Sequence, residues 1–223
     1  MSSSSDVRAL IAILLVCPML AAAAAGCGAA TPLAYYFSPR HIQKSEYAFP
    51  GDARVAVLIE PARPDAEHPV FNRALYERLA ETFREKKSKA ALLPLDEVTT
   101  LRSQHADFAS WSIQRIGRTL HASHVLYIRI DELQLRTTPE VPVIEPRVTL
   151  HEKVILVDSP EHDARAWPKE QEGRLVTCSR PSGEVADAGD EDDAVRKLGL
   201  DTAYFVAMPF FETDLEEKRP VER

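Results

Sequence analysis

Apolar and polar positions alternate with clear periods from residue 51 onward. The run Arg54 to Glu60, RVAVLIE, is almost continuously apolar, which is typical of a strand buried on both faces of a sheet. From Val70 to Lys87 apolar side chains recur every four residues, so this segment is predicted to be a helix with one face against that sheet. These side chains are Phe71, Leu75, Leu79 and Phe83.

The next segment continues the alternation of strands and helices. A short strand over Ala90 to Leu95 is followed by a brief helix, for which Asp96 is the expected N-cap. A second main helix is expected from Asp107 to about Leu120, with Gly117 at a point of close packing. The first three strands are therefore joined by two crossovers that contain helices.

The long strand from Val125 to Arg136 changes phase along its length. One face carries the apolar side chains Leu126, Ile128 and Ile130, but the apolar side chains Leu133 and Leu135 fall on the other. A single strand of period two cannot do this, so we predict a β-bulge at Asp131-Glu132.

The second half of the chain is richer in strands. Strands are predicted over Val148 to Val157, Ala164 to Trp167 and Gly173 to Ser179, before a last helix from about Asp192 to Met208 that Pro209 kinks or ends. The order β-α-β-α-β-β-β-β-α predicts an α/β (α+β) protein. We expect a single small mixed β-sheet with about three main helices packed on it.

The amino terminus has a different pattern. After a short polar leader, the 18 residues from Ala9 to Gly26 carry no charge. Pro18 interrupts this run and the five alanines from Ala21 to Ala25 are weakly hydrophobic, so a cleaved secretory signal is favoured over a retained membrane helix.

The run Ala24-Ala25-Gly26-Cys27 resembles the bacterial lipobox, in which small residues precede a lipidated cysteine. We therefore predict a cleaved signal at 1–26, a lipid such as palmitate on Cys27, a tether at 27–50, an α/β domain at 51–215 and a charged tail at 216–223. Gly28 stands where an Asp favours inner-membrane retention in enterobacterial lipoproteins, so the resemblance implies the outer membrane, facing the periplasm. Simple secretion, with an incidental Cys27, is the alternative.

Composition narrows the picture further. The formal net charge of −7 argues against nucleic acid as a partner. Once Cys27 is acylated Cys178 is the one remaining thiol, and its apolar surroundings predict a buried small hydrophobe. The tether is rich in aromatic residues, so we expect part of it to pack on its own domain. These residues are Tyr35, Tyr36, Phe37, Tyr47 and Phe49.

Several runs together resemble a known α/β domain, namely RVAVLIE, FNRALYERLAETF, IGRTLHASHVLYIRIDELQL and LDTAYFVAMPFFE. That domain is shared by the curli secretion lipoprotein family, the lipoprotein activators of penicillin-binding proteins and the amino-terminal domain of the Tol translocation protein. The runs VILVDS and AWPKEQEGRLV resemble envelope lipoproteins of planctomycete-type bacteria. The resemblance covers residues 51–215 and carries no catalytic motif.

Candidate chemistry is sparse. The pair His121 and His124 is a weak metal-ligand candidate, because a site needs at least three ligands and this pair spans a helix end and a strand start. The acidic run Asp190 to Asp193 lacks the spacing of a calcium loop and suits a solvated helix start. Trp167 and Pro168 form a candidate binding edge near a hairpin, although packing is the favoured role for the indole.

These observations favour a non-enzymatic envelope lipoprotein, attached to the membrane through Cys27, that needs no cofactor and binds an envelope protein partner. Two alternatives stay open. One is a small-ligand or metal-dependent enzyme that uses His121 and His124. The other is a self-associating scaffold.

Overall fold

The computed structural model of the chain describes residues 42–136, 144–180 and 190–214. The strands in these ranges are β1 (Ile42–Gln43), β2 (Arg54–Pro61), β3 (Ala91–Leu92), β4 (His124–Gln134), β5 (Arg147–Leu156), β6 (Arg165–Trp167), β7 (Arg174–Ser179) and β8 (Thr213–Asp214). The α-helices there are α1 (Pro69–Glu85), α2 (Leu95–Gln104), α3 (Ile113–Thr119) and α4 (Asp190–Ala207).

Six of the described strands form one open mixed sheet, as the sequence predicted. Its order is β3-β2-β4-β5-β6, and β7 also pairs with β5, while β1 and β8 form a separate two-stranded ribbon. The pairs β3-β2 and β2-β4 are parallel, and the pairs of β5 with β4, β6 and β7 are antiparallel. The fold class is therefore confirmed, with α2 and α3 sharing the crossover that returns to β4.

Both faces of β2 are buried, which explains its continuous apolar run. Val55, Val57 and Ile59 face a core built with α1 and α4. Ala56 and Leu58 face a second core, which includes residues of α2 and α3. Helices therefore lie on the two faces of the same sheet, as in other α/β domains.

The predicted bulge in β4 is confirmed. Ile130 pairs with Leu150 and Glu132 with Thr149, so Asp131 is the extra residue between two consecutive pairs. The shift returns β4 to register with β5 and lets apolar positions on either side of the bulge serve the same core.

Two helix starts differ from the sequence prediction. Residues Phe108–Ser110 form a short 3-10 turn and Trp111 is extended, so the helix expected from Asp107 begins only at Ile113. The Ser112 hydroxyl caps it by accepting a hydrogen bond from the Arg115 backbone nitrogen at 3.2 Å. The cap predicted at Asp96 was also wrong. Pro94 occupies the N-cap of α2, and Asp96 lies in the first turn, where its charge suits the helix dipole.

Residues 42–50, which we call the amino-terminal segment, pack on the residues that follow α4. The backbone nitrogens of Glu46 and Tyr47 donate to the Pro209 carbonyl oxygen at 2.7 and 3.0 Å. The rings of Tyr47 and Phe49 contact Phe210, at centroid distances of 6.4 and 5.0 Å. The packing expected of the tether aromatics is thus present for Tyr47 and Phe49. The other three aromatics, Tyr35, Tyr36 and Phe37, lie outside the described residues.

Pro209 ends α4 as predicted. The helix runs to Ala207, and Met208–Phe210 tighten into a 3-10 turn before β8. The acidic run at its start behaves as a solvated helix start, because Asp193 pairs with Arg196 and Lys197 one turn later at 2.7 and 2.6 Å.

Candidate functional site

Cys27 lies outside the described residues, so its lipidation stays a prediction. None of the helices in the parts of the chain that the structure describes is long and apolar enough to cross a membrane.

His121 and His124 lie in different environments, the first exposed and the second buried. His121 is exposed in a left-handed conformation (φ 53°) after α3 and lines a depression that also includes Asp96 and Glu97. His124 is 6% exposed, with its Nδ1 2.8 Å from the Ser123 hydroxyl and its ring 5.7 Å from that of Phe49. Burial lowers the pKa of His124. No group of three metal-ligating side chains occurs within the described ranges.

Trp167 and Pro168 are both buried. Trp167 belongs to the core beneath α1 and α4, and its ring meets that of Phe210 edge to face at 5.5 Å. The packing role favoured for the indole is confirmed, while a binding role at this edge stays a prediction. Cys178 is also buried, as expected, and burial raises the pKa of its thiol, so a reactive thiolate is disfavoured.

The outer half of one sheet face carries polar side chains in place of an apolar core. The apolar cluster that contains residues of α2 and α3 ends near Tyr127 and Ile155. Beyond these positions the pairing register places Arg129 beside His151 and His151 beside Leu175, across β4, β5 and β7. Leu175 is 57% exposed. We call this region the open sheet face, and its residues are Tyr127, Arg129, Asp131, His151, Lys153, Leu175 and Thr177.

A hydrogen-bonded network fixes the charges at the centre of the open sheet face. Arg129 Nε donates to Asp131 Oδ1 at 2.8 Å, and an Arg129 terminal nitrogen lies 3.3 Å from Glu172 Oε2. His151 Nδ1 lies 2.5 Å from Asp131 Oδ2. Asp131 is the extra residue of the β-bulge, so the bulge determines the direction of its carboxylate.

Tyr127 and Lys153 extend the open sheet face toward β2. The Lys153 ammonium lies 5.2 Å from the centroid of the Tyr127 ring. Burial, followed by the charge of Glu60, raises the pKa of Tyr127 to about 12, so its hydroxyl remains a hydrogen-bond donor at neutral pH. Burial lowers the pKa of Lys153, helped by the nearby charge of Arg165.

The carboxylate of Asp131 is shared between Arg129 and His151. Sequence reasoning missed the open sheet face because its residues are far apart in the chain and match no motif. The available signals were the predicted bulge and the polar positions that alternate along β4 and β5.

Comparison with protein-family models and with curated proteins gave no match. Similar solved structures include the PelC dodecamer from Paraburkholderia phytofirmans, at 17% identity and a TM-score of 0.38, over 76% of this chain and 98% of that one. They also include a lipoprotein from Neisseria meningitidis, at 15% identity and a TM-score of 0.38, over 65% of this chain and 94% of that one.

The LpoB C-terminal domain from Salmonella enterica is a third similar structure, at 15% identity and a TM-score of 0.32, over 62% of this chain and 88% of that one. Lipoproteins, to which the sequence resemblance pointed, are thus present among the similar structures. At these identities and TM-scores the matches define no family and no function for this chain. Its origin in planctomycete-type bacteria stays a prediction.

Proposed function

We propose that this chain is a bacterial envelope lipoprotein whose α/β domain binds a protein partner through the open sheet face and catalyses no reaction. Residues 1–26 would be removed as a signal, and a lipid on Cys27 would hold the domain at the outer membrane, facing the periplasm. Residues 27–50 would be the tether, 51–215 the domain and 216–223 a charged tail.

The observation that carries the proposal is the network around Asp131. An arginine, a carboxylate and an imidazole are held in fixed positions on an accessible face, next to the exposed Leu175. Protein interfaces combine such polar groups with exposed apolar side chains, and arginine is enriched in them. Because the network is already ordered in the free domain, little conformational entropy is lost when a partner binds.

The alternative of a metal-dependent enzyme receives no specific support from the geometry. His124 is engaged with Ser123 and packed against Phe49, whereas His121 lies in the depression beside α2. The two imidazoles therefore belong to different environments. No observation specifically favours a self-associating scaffold either.

A photoreactive amino acid in place of Leu175 tests the proposal in intact cells. We expect a covalent adduct with one recurring partner, and loss of that adduct when Arg129→Glu is added, because the network would then lose its guanidinium and hold three carboxylates, at positions 129, 131 and 172. The matched control places the same photoreactive residue at Arg73, which is exposed on α1. Identical adducts from both positions, or none from Leu175, would contradict the proposal.

A further inference from the structure

A second surface lies at the opposite edge of the sheet, where β3 has a partner strand on one side only within the described residues. The backbone nitrogen of Ala91 donates to the carbonyl oxygen of Ala53, just before β2, at 2.8 Å, and that of Leu93 donates to the carbonyl oxygen of Val55 on β2 at 2.9 Å. Because successive residues of a strand direct their polar groups to opposite sides, the N–H and C=O of Leu92 point away from β2. They form an edge that an extended chain could pair with.

A groove of about 480 Å³ runs between this edge and α1. Apolar atoms of Ala80 and Phe83 line it from the helix, and Ala90 lines it from the segment that leads into β3. The hydroxyl of Tyr76, which also lines the groove, donates to the Leu93 carbonyl oxygen at 2.8 Å and so ties helix to strand. The groove is therefore preformed. Its apolar part lies beside the backbone of Leu92, and one acidic and one basic side chain, Glu77 and Arg84, also line it.

Four basic side chains lie at or just after the carboxyl-terminal end of α1, in a protein of formal net charge −7, and one of them, Arg84, lines the groove. All are exposed, and none forms a salt bridge with another described residue. They are Arg84, Lys86, Lys87 and Lys89. By contrast, Arg78 on the same helix pairs with Glu81 and Glu85, at 2.6 and 3.4 Å.

We propose that this groove, which we call the β3 groove, binds an extended acidic segment of a partner protein. The segment pairs its backbone with Leu92, places a small apolar side chain between Ala80 and Phe83, and directs carboxylates toward Arg84 and Lys86. Lysines beside an edge strand repel basic strands, so the same charges select an acidic one. This inference goes beyond the proposed function, because it concerns a different surface and a defined class of ligand.

An acidic peptide fits these observations better than an anionic membrane does. A lipid surface could meet the lysines, but it offers no backbone groups for the open edge of β3. An extended acidic polypeptide can use all three features, because its backbone pairs with the edge, its apolar side chain enters the groove and its carboxylates meet the basic side chains.

The test uses the full-length protein and a short fluorescein-labelled peptide of alternating valine and glutamate, with binding followed by fluorescence anisotropy. We expect binding that weakens with added salt and by about tenfold or more in the double variant Arg84→Glu/Lys86→Glu. Ala80→Phe should fill the groove and weaken binding similarly while it leaves every charge in place. Arg73→Glu, the matched charge control on α1, should bind as the unaltered protein does. Thermal unfolding of each variant checks that the fold is retained.

The outcomes separate the two surfaces. Absence of peptide binding, or equal binding by the unaltered protein and both groove variants, would overturn the β3 groove. Binding to phosphatidylglycerol vesicles that the double variant loses, with no binding of the peptide, would also overturn it in favour of a membrane contact. If the photoreactive residue at position 175 gives no adduct while the peptide still binds, the result would instead count against the proposed function.

Discussion

Arg174 donates a 2.5 Å hydrogen bond to Glu152, whose second carboxyl oxygen has no hydrogen-bond partner among the described residues. Glu152 is completely buried on β5, in the middle of an otherwise apolar row of side chains. Burial raises the pKa of Glu152 to about 8 although the charge of Arg174 opposes the shift, and Glu46 in the amino-terminal segment adds to it. The core thus contains a carboxyl group that titrates near neutral pH.

This titration predicts a stability that declines with rising pH. The folded-state pKa lies above the ordinary value of 4.5, so the folded protein binds this proton more tightly than the unfolded chain does. The contribution of Glu152 is therefore fully present below about pH 4.5 and is lost progressively up to about pH 8, on the order of a few kcal/mol in all. Urea unfolding at a series of pH values measures it.

Glu152→Gln should flatten this pH dependence, because the amide cannot ionise. The control Glu172→Gln removes an exposed carboxylate and should retain the slope. Equal slopes in the unaltered protein and Glu152→Gln would show that this carboxyl does not govern the pH dependence.

A substitution at Gly117 should destabilise the domain. A Cβ at this position would lie 2.5 Å from Val157 Cγ2 and 2.9 Å from Val125 Cγ2, so the close packing predicted from the sequence is confirmed. We expect Gly117→Ala to cost about 1 to 3 kcal/mol of unfolding free energy despite the better helix propensity of alanine. Chemical denaturation would measure the loss.

Gly51→Ala is the matched control, since its added Cβ would meet only the flexible Lys89 side chain, at 3.2 Å. Similar losses in both variants would indicate that the helix α3 can move away from the sheet at little cost.

Phe49 should hold the amino-terminal segment on the domain. Its ring lies 5.0 Å from that of Phe210 and 5.9 Å from that of Phe83. We expect Phe49→Ala to lower the unfolding free energy by about 2 to 4 kcal/mol and to make residues 42–50 more sensitive to limited proteolysis. Ile42→Ala, at a side chain that is 56% exposed, should change neither property. Unchanged proteolysis of the Phe49→Ala variant would show that backbone contacts suffice.

Cys27→Ser tests the proposed anchor. Serine cannot accept the lipid, so the variant should be found in the soluble fraction or keep its uncleaved signal, since each acyl CH₂ contributes about 0.8 kcal/mol to membrane binding. Cell fractionation and intact-protein mass would measure both outcomes. Cys17→Ser, inside the segment expected to be removed, is the control and should leave attachment unchanged. Normal processing and membrane attachment of Cys27→Ser would refute the lipoprotein interpretation.

The sequence alone determined the elements of the main sheet and their order, because these depend on local periodicity, but it did not indicate the β1-β8 ribbon. The continuous apolar run of β2, the four-residue repeat of α1 and the change of phase at Asp131 each report burial within a few residues. Helix ends were less well determined. The helix α3 begins after the extended Trp111, whose indole donates a hydrogen bond to Asp107, and the spacing of apolar residues does not indicate such a bond.

Only the tertiary structure decided which distant residues meet. The network of Arg129, Asp131 and His151 depends on the antiparallel register of β4 and β5, and the β3 groove depends on where α1 crosses the sheet edge. The sequence pattern likewise did not predict the partner of Glu152, because Arg174 lies at the start of β7, on another strand. Sequence patterns encode which side of an element is buried, whereas the contacts between elements follow from how those buried sides pack together.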